Sequence, residues 1–284
     1  MVSSELEPYP GQELTPEMMA GVDREERLVP GPSGAPDVRV LLYRTKGAPT
    51  GQPLVVDIHG GAFAMRADNF PAGPSRLAML GATVVSVDYR PSTEAAFPAG
   101  VEDCYATLCW AVESFDGDRK RVVVTGTSAG GALAAAVTLM ARDRGGPTIS
   151  FQALQVPVID DRCDTPSMRQ FDDGPLFSGQ KARAMWEQYL GADADPDGTS
   201  PYAAPGRSSD LRGLPPAFIK VNGLDPLRDE GIHYALRLMA AEVPVELYCA
   251  PNQHHALSED PRTEAQAARL YTEAMRTALG IEIP

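Results

Sequence analysis

The fold is decided by the stretch Val122-Val-Val-Thr-Gly126-Thr-Ser128-Ala-Gly130-Gly131-Ala132, in which an apolar strand leads directly into a helix of small residues. A serine between two glycines at such a junction sits on a sharp, strained turn, where a side chain at either glycine would collide with neighbouring backbone. The turn holds the hydroxyl at the positive end of the following helix. We therefore predict that Ser128 is a nucleophile; the alternative is an ordinary glycine-rich turn.

A second segment, Ile58-His59-Gly60-Gly61-Ala62-Phe63, also follows an apolar strand. Successive glycines allow two backbone N–H groups to point into one concavity, which is what a tetrahedral oxyanion requires. Its position about seventy residues ahead of Ser128 favours this reading over a simple Gly-Gly turn. His59 is a weak candidate for a general base, and we expect its ring to hold the loop in shape through hydrogen bonds.

A candidate acid, Asp225, follows one of the later predicted strands and precedes a helix. Its carboxylate would therefore emerge at the same end of the sheet as Ser128, where it could orient an imidazole and stabilise its charged form. The alternative for Asp225 is a turn or helix N-cap residue. Asp229 and Glu230 fall in the first turn of the helix, and we attribute both to its dipole.

A candidate base lies in the loop after the last predicted strand, where His254 and His255 are adjacent. One of the two should be the general base, which gives a chain order of serine, acid and histidine. A metal reading of the pair is disfavoured, because no Glu or His partner stands at ligand spacing. His233, on a predicted helix, is expected to be a surface or packing residue.

The composition is that of an ordinary globular chain, with 43% hydrophobic and 22% charged residues over 284 positions. The net charge of -13 argues against a nucleic-acid partner, whose phosphates require a basic face. No apolar stretch approaches the roughly 18–20 residues of a membrane-spanning helix. The first ten residues show no signal-peptide pattern, so we expect a cytoplasmic location and reduced, buried thiols for the four cysteines.

Short β-branched runs alternate with helical patterns, which predicts a mainly parallel sheet with helices on both faces. The predicted strands are Glu26–Leu28, Val38–Tyr43, Leu54–Ile58, Thr83–Val87, Val122–Thr125, Phe151–Val156, Ala217–Val221 and Val245–Tyr248, the first two forming an antiparallel edge. The predicted helices are Pro16–Val22, Pro74–Leu80, Gly100–Glu113, Ala129–Arg142, Gln180–Leu190, Glu230–Ala241 and Arg262–Leu279. The whole chain, 1–284, is predicted to be one domain.

Two segments do not fit the alternation: the polar N-terminal residues and the stretch 160–212, which is rich in Asp, Pro and Gly. A structureless loop as long as the second is improbable inside a compact domain. We therefore expect a small cap, built from about 1–25 and 160–212. The insert would lie over the carboxyl ends of the strands, where α/β sheets bind ligands.

With these residues in view, the chain resembles the bacterial hormone-sensitive-lipase-like esterases, the family IV carboxylesterases of the α/β-hydrolase fold. The resemblance runs from about Glu26 to the C-terminus. It is carried by the blocks His59-Gly-Gly, Val87-Asp-Tyr-Arg90, Phe97-Pro-Ala, Val101-Glu-Asp103, Gly126-Thr-Ser-Ala-Gly-Gly131, Tyr189-Leu-Gly, Ser200-Pro-Tyr and Asp225-Pro-Leu-Arg-Asp-Glu-Gly231. The Gly-Thr-Ser-Ala-Gly-Gly form is similar to the branch with Thr before the nucleophile.

The resemblance implies an eight-stranded hydrolase fold with a helical cap, and no cofactor. It implies that Ser128 is the nucleophile, Asp225 the triad acid and His255 the general base, since Pro251, His255, Ala256 and Leu257 fit the spacing of the family's histidine loop. The implied oxyanion hole is formed by Gly60, which shapes the loop, and by the N–H groups of Gly61, Ala62 and Ala129. Ala62 and Ala256 depart from the pattern, because the family usually has glycine at both.

The expected activity is hydrolysis of a small-molecule ester, with a short acyl chain and an acyl-enzyme on Ser128. The same triad could cleave an amide, a lactone or a formamide, because the machinery does not choose the leaving group. A non-catalytic ligand-binding receptor on the same fold is the alternative from another class, and it is disfavoured because all three triad residues are present. A homodimer is also expected from the resemblance, and the charge and the apolar pattern predict no nucleic-acid partner and no stable membrane insertion.

Overall fold

An eight-stranded sheet runs through the computed structural model, which describes residues 11–115, 117, 120–192, 194–195, 197–255 and 260–281. The strands are β1 Val22–Val29, β2 Val38–Thr45, β3 Leu54–Ile58, β4 Thr83–Asp88, β5 Val122–Thr127, β6 Phe151–Gln155, β7 Ala217–Asn222 and β8 Val245–Ala250. Their spatial order is β1-β2-β4-β3-β5-β6-β7-β8. β2 pairs antiparallel with β1 and β4, and the other neighbours pair in parallel. The predicted α/β-hydrolase sheet with an antiparallel edge is confirmed.

The helices cover both faces of this sheet. They are α1 Pro16–Gly21, α2 Ala72–Met79, α3 Ala99–Ser114, α4 Ala129–Asp143, α5 Pro166–Gln170, α6 Gly179–Leu190, α7 Arg228–Ala240 and α8 Pro261–Leu279. Side chains of α2 and α8 share one buried cluster with residues of the central strands, while α3, α4 and α7 share the cluster on the opposite face. The sheet is therefore the middle layer of three.

The central strands are buried on both faces, which is why they read as continuous apolar runs. Val55 and Val56 are consecutive and fully buried, yet they belong to opposite clusters because successive side chains of a strand alternate. Val123 and Val124 do the same in β5. α4 is buried from Ala129 to Ala141, since its small residues let the helix lie close against the sheet.

The two segments outside the alternation contain the main differences from expectation. β1 begins at Val22, inside the 1–25 range predicted for the cap, and is longer than expected because it pairs with β2 along its whole length. Within the insert, α6 was predicted and the five-residue α5 was not. The cap boundaries stay a prediction, and residues 1–10 lie outside the described chain.

The described cysteines are all free thiols, but they are not all buried as expected. Cys104 and Cys163 are buried, Cys109 is half-buried and Cys249 is exposed on the edge strand β8. β8 has a neighbouring strand on one side only, and this edge position accounts for the exposure of Cys249. Among the helices of the described ranges, none combines the length and the apolar content needed to cross a membrane.

Candidate active site

Ser128 occupies the one-residue turn between β5 and α4, with φ 57° and ψ −121°. A non-glycine residue at positive φ is strained, so the surrounding packing must hold it there. The neighbouring glycines make that packing possible. A Cβ on Gly126 would lie 2.1 Å from the carbonyl oxygen of Gly130, and a Cβ on Gly130 would lie 2.0 Å from that of Ile58.

Hydrogen bonds join the three residues expected to form a triad. The Nε2 of His255 lies 2.9 Å from the Oγ of Ser128, and its Nδ1 lies 2.8 Å from the Oδ2 of Asp225. The other carboxylate oxygen of Asp225 accepts from the N–H of Leu227 at 3.0 Å. A carboxylate at Nδ1 favours the tautomer protonated there, which leaves Nε2 able to accept the serine proton.

The three hydrogen-bonded residues are buried from solvent to different degrees. Asp225 is 1% exposed, Ser128 is 8% exposed and the side chain of His255 is 9% exposed. Asp225 follows the end of β7, while His255 lies in the loop after β8, so their approach depends on the parallel pairing of these strands. The carboxyl ends of parallel strands meet at one edge of a sheet, which is the edge where Ser128 also lies.

His254 contributes to this arrangement through its backbone. Its carbonyl oxygen accepts from the side-chain Nδ2 of Asn222 at 2.6 Å, and the N–H of Leu224 donates to the carbonyl of Gln253 at 2.9 Å. The loop of the two histidines is thereby tied to the loop that carries Asp225. Of the pair, the structure brings His255 to Ser128. Ala256 and Leu257, part of the predicted loop pattern, lie outside the described residues.

The predicted oxyanion loop lies directly against the Ser128 turn. A Cβ on Gly60 would be 2.8 Å from the carbonyl oxygen of Thr127 and 3.3 Å from the Cβ of Ser128. Gly61, Ala62 and Phe63 then have φ of 93°, 55° and 59° in succession. Positive φ costs a non-glycine residue roughly 1–2 kcal/mol, so this run is held by its surroundings. Ala129, whose N–H group is the remaining predicted oxyanion donor, is the first residue of the adjacent helix α4.

The surroundings of His59 explain how the loop keeps its shape. The imidazole lies parallel to the rings of Tyr89 and Phe70, with centroids 4.4 Å and 5.4 Å away. Its Nδ1 is 2.8 Å from the carbonyl of Gly60, and the Tyr89 hydroxyl donates to the carbonyl of His59 at 3.1 Å. Burial lowers the pKa of His59 to about 4, so the ring is neutral near pH 7. It has the loop-shaping contacts expected of it.

Aromatic residues of the insert contact His255 and Phe63, and sequence reasoning did not identify them. The ring of Phe177 is 4.5 Å from that of His255. Tyr189 stacks on Phe63 of the predicted oxyanion loop, with ring centroids 3.8 Å apart, and Trp186 packs against both rings. The aromatic residues of α6 and the Tyr189-Leu-Gly block were the available signals, but neither says which part of the site the rings would contact.

Glu230 differs from its sequence interpretation. It is 2% exposed, and its Oε1 accepts from the N–H of Ile159 at 2.6 Å and of Asp160 at 3.3 Å. Its role is therefore a contact to the loop after β6 rather than a solvent-exposed interaction with the helix dipole. Asp229 likewise accepts from the N–H of Ser167 at 2.7 Å, which joins α7 to the insert. Within the described part of the chain, no cluster of three or more His, Cys, Asp or Glu could hold a metal ion.

Comparisons with known proteins agree with this fold. The sequence profile of a family described as the alpha/beta hydrolase fold matches residues 55–258. Esterase LipI of Mycobacterium tuberculosis is 37% identical over 259 residues, which cover 89% of this chain and 79% of that protein. Carboxylesterase NlhH of the same species is 37% identical over 246 residues, covering 84% and 77%. The solved structure of a bacterial heroin esterase has a TM-score of 0.88 and 40% identity, covering 91% of this chain and 85% of that chain.

The chain therefore belongs to the α/β-hydrolase fold family. Within that family it is a hormone-sensitive-lipase-like carboxylesterase, as its relation to named esterases and carboxylesterases over most of its length establishes. The enzyme class expected from the sequence is confirmed. Its placement in the branch with Thr before the nucleophile stays a prediction.

Proposed function

We propose that this carboxylesterase hydrolyses small, short-acyl esters through an acyl-enzyme on Ser128, with His255 as general base and Asp225 as the triad acid. The observation that carries the proposal is the unbroken run of hydrogen bonds, 2.9 Å from Ser128 to His255 and 2.8 Å from His255 to Asp225. Each bond has the length that proton transfer and imidazole orientation require.

In the first step, the Ser128 oxygen attacks the ester carbonyl carbon while the Nε2 of His255 takes the hydroxyl proton. The carbonyl oxygen becomes an oxyanion, and Asp225 stabilises the imidazolium. The imidazolium then returns its proton to the leaving alcohol oxygen as the carbon–oxygen bond breaks. What remains is an ester between Ser128 and the acyl group.

In the second step, water attacks the acyl carbon and His255 takes the water proton. The tetrahedral intermediate collapses, the proton passes to the Ser128 oxygen and the carboxylic acid leaves. The oxyanion of both steps would be stabilised by the N–H groups of Gly61, Ala62 and Ala129, each worth about 3 kcal/mol of the barrier. The close packing of Gly60 against the Ser128 turn supports this assignment.

The aromatic residues near the site support a small acyl group. Phe63, which belongs to the predicted oxyanion loop, is almost fully buried and packs against the buried rings of Trp186 and Tyr189. The ring of Phe177 lies beside the His255 imidazole, with centroids 4.5 Å apart. Rings in these positions leave less depth for a long acyl chain. A series of p-nitrophenyl esters tests this: kcat/KM should be highest for acetate to butyrate, and a preference for dodecanoate or longer would contradict it.

The variant Ser128→Ala tests the proposed chemistry. Loss of a hydroxyl in the turn leaves the backbone packing intact, so the variant should keep the wild-type circular dichroism spectrum and lose p-nitrophenyl acetate hydrolysis. Wild-type turnover by the variant would overturn the acyl-enzyme scheme. Values of kcat/KM for aryl formamides, lactones and anilides, measured in parallel, compare ester hydrolysis with the other reactions that the same triad could catalyse.

The proposal also includes a homodimeric assembly and a cytoplasmic location. The resemblance to the hormone-sensitive-lipase-like esterases supports a homodimer, and the sequence supports a cytoplasmic site of action. Sedimentation velocity would test the first: a single species at about 60 kDa, twice the 30.3 kDa chain, is expected. A single species of one chain mass would contradict it.

A further inference from the structure

The segment 155–160, which begins at the last residue of β6, is hydrogen-bonded to both the N–H and the carbonyl of the proposed nucleophile. The N–H of Ser128 donates to the carbonyl of Gln155 at 2.8 Å, and the N–H of Val158 donates to the carbonyl of Ser128 at 3.1 Å. Because Ser128 is held at positive φ, these two bonds help to set where its side chain points.

Glu230 holds the next part of the same segment to α7. Its carboxyl accepts from the N–H of Ile159 at 2.6 Å and of Asp160 at 3.3 Å, and it is 2% exposed. The N-terminus of α7 is joined in turn to Asp225, since the N–H of Arg228 donates to the carbonyl of Asp225 at 3.1 Å. A series of hydrogen bonds thus connects the turn of Ser128, through Glu230, to the loop of Asp225.

Close packing around Pro157 restricts movement of the 155–160 segment. A Cβ on Gly131, in α4, would lie 2.9 Å from the Cβ of Pro157, and a Cβ on Gly231, in α7, would lie 2.6 Å from the Cγ1 of Val221 and 3.8 Å from Pro157. The helix after the nucleophile therefore packs tightly against the segment that Glu230 holds, and the helix after the acid lies beside it. A shift of this segment would move one relative to the other.

We propose that Glu230 is a positioning residue that sets the distance between Ser128 and the loop of Asp225 by holding the 155–160 segment against α7. The inference rests on the proposed triad mechanism. A misplacement of about 1 Å can cost roughly 100-fold in rate even when the changed residue is far from the chemistry. Since Glu230 does not touch the substrate-facing atoms of the triad, its removal should lower kcat more than it alters KM.

The protonation of Glu230 decides which substitution is conservative. Burial raises the pKa of Glu230 well above its usual range, the N–H groups of Ile159 and Asp160 oppose that rise, and the charges of Asp160 and Asp225 add to it. A neutral carboxyl accepts hydrogen bonds through its carbonyl oxygen, as an amide does. Glu230→Gln therefore keeps the contact, Glu230→Asp is one methylene too short to make it, and Glu230→Ala removes it.

The test compares these variants in steady-state p-nitrophenyl acetate kinetics, with kcat expressed per serine that reacts with a fluorophosphonate. Glu230→Ala and Glu230→Asp should lower kcat about 10- to 100-fold and leave KM within about threefold, while Glu230→Gln should retain kcat within about threefold. Tyr234→Phe is the matched control, because Tyr234 lies on the same helix and its buried hydroxyl has no hydrogen-bond partner among the described residues. The kcat of this variant should equal that of the wild type.

Three results would overturn the proposal: full kcat in Glu230→Ala, a loss in Glu230→Gln as large as in Glu230→Ala, or a loss that disappears when activity is counted per reactive serine. If Glu230→Ala does not fold, Glu230→Asp against Glu230→Gln gives the same comparison. Ser128→Ala, measured alongside, separates this proposal from the mechanism. Activity in Ser128→Ala would refute the mechanism, whereas an inactive Ser128→Ala with a fully active Glu230→Ala would refute only the positioning role.

Discussion

The Nε2 of His255 lies 2.9 Å from the hydroxyl oxygen of Ser128, although the two residues are 127 positions apart in the chain. The contact joins a strained turn after β5 to a loop after β8, at the edge of the sheet where the parallel strands end. Asp225 completes it from the loop after β7. If this relationship is the basis of the esterase activity, changes to its members should have separable effects.

The two adjacent histidines should respond differently to alanine. His255→Ala removes the only one of the pair that the structure brings to Ser128, and kcat with p-nitrophenyl acetate should fall by about 10⁴-fold or more. His254→Ala keeps the backbone carbonyl that Asn222 bonds, so most of the activity should remain. The reverse pattern would move the general base by one residue.

The acid can be tested without changing its size. Asp225→Asn can present an N–H to the Nδ1 of His255, which stabilises the tautomer protonated at Nε2 and leaves no acceptor for the Ser128 proton. We expect kcat to fall by about 10⁴-fold with little change in the thermal unfolding midpoint, as measured by rates and by circular dichroism. A decrease of less than tenfold would argue against Asp225 as the triad acid.

Two glycines in helices should respond to alanine in opposite directions. A Cβ at Gly130 would lie 2.0 Å from the carbonyl oxygen of Ile58, so Gly130→Ala should lower the free energy of unfolding by at least about 3 kcal/mol and abolish turnover. Gly73, in α2, has no atom within 4 Å of such a Cβ, and Gly73→Ala should raise stability by about 0.5 kcal/mol. Urea unfolding measures both, and equal effects would contradict the close approach at Gly130.

The buried imidazole of His59 predicts a pH dependence of stability. Its folded-state pKa of about 4 lies below the ordinary 6.5, so the unfolded chain binds the proton more readily. The resulting stabilisation is complete above pH 6.5 and is lost as pH falls through about 4, at a cost of about 3 kcal/mol.

His59→Phe keeps a ring between Tyr89 and Phe70 but cannot titrate, so its stability should fall less steeply than that of the wild type between pH 7 and pH 4. Urea unfolding of both proteins at several pH values gives the two slopes. Parallel curves would show that His59 is not held neutral by burial.

The sheet and the meeting of Ser128, Asp225 and His255 could be predicted from sequence for a simple physical reason. Ser128 follows β5 directly, Asp225 and His255 lie in the loops after β7 and β8, and parallel strands place their carboxyl ends together. The choice of His255 over His254 came from the family resemblance. Alternation of strands and helices sufficed to predict the layers. The same local reasoning also predicted that the His59 ring holds its own loop in shape, and the ring has contacts of that kind.

Long-range contacts of irregular segments could not be predicted in this way. Phe177 reaches His255 from a part of the insert without strand or helix periodicity, and α5 is too short for a periodic signal. Glu230 looks like an ordinary acidic residue of a first helical turn, because its partner Ile159 is 71 positions away. The length of β1 was missed because its mostly exposed, charged residues are held by pairing with β2 rather than by an apolar face.

The central claim, that Ser128 is the nucleophile of this carboxylesterase, is tested most directly by fluorophosphonate labelling followed by peptide mass spectrometry. The account predicts one phosphonyl group per chain, located on Ser128, with activity lost in proportion to labelling and no labelling in Ser128→Ala. Inactivation with the adduct on another residue, or turnover that continues with Ser128 fully labelled, would contradict it.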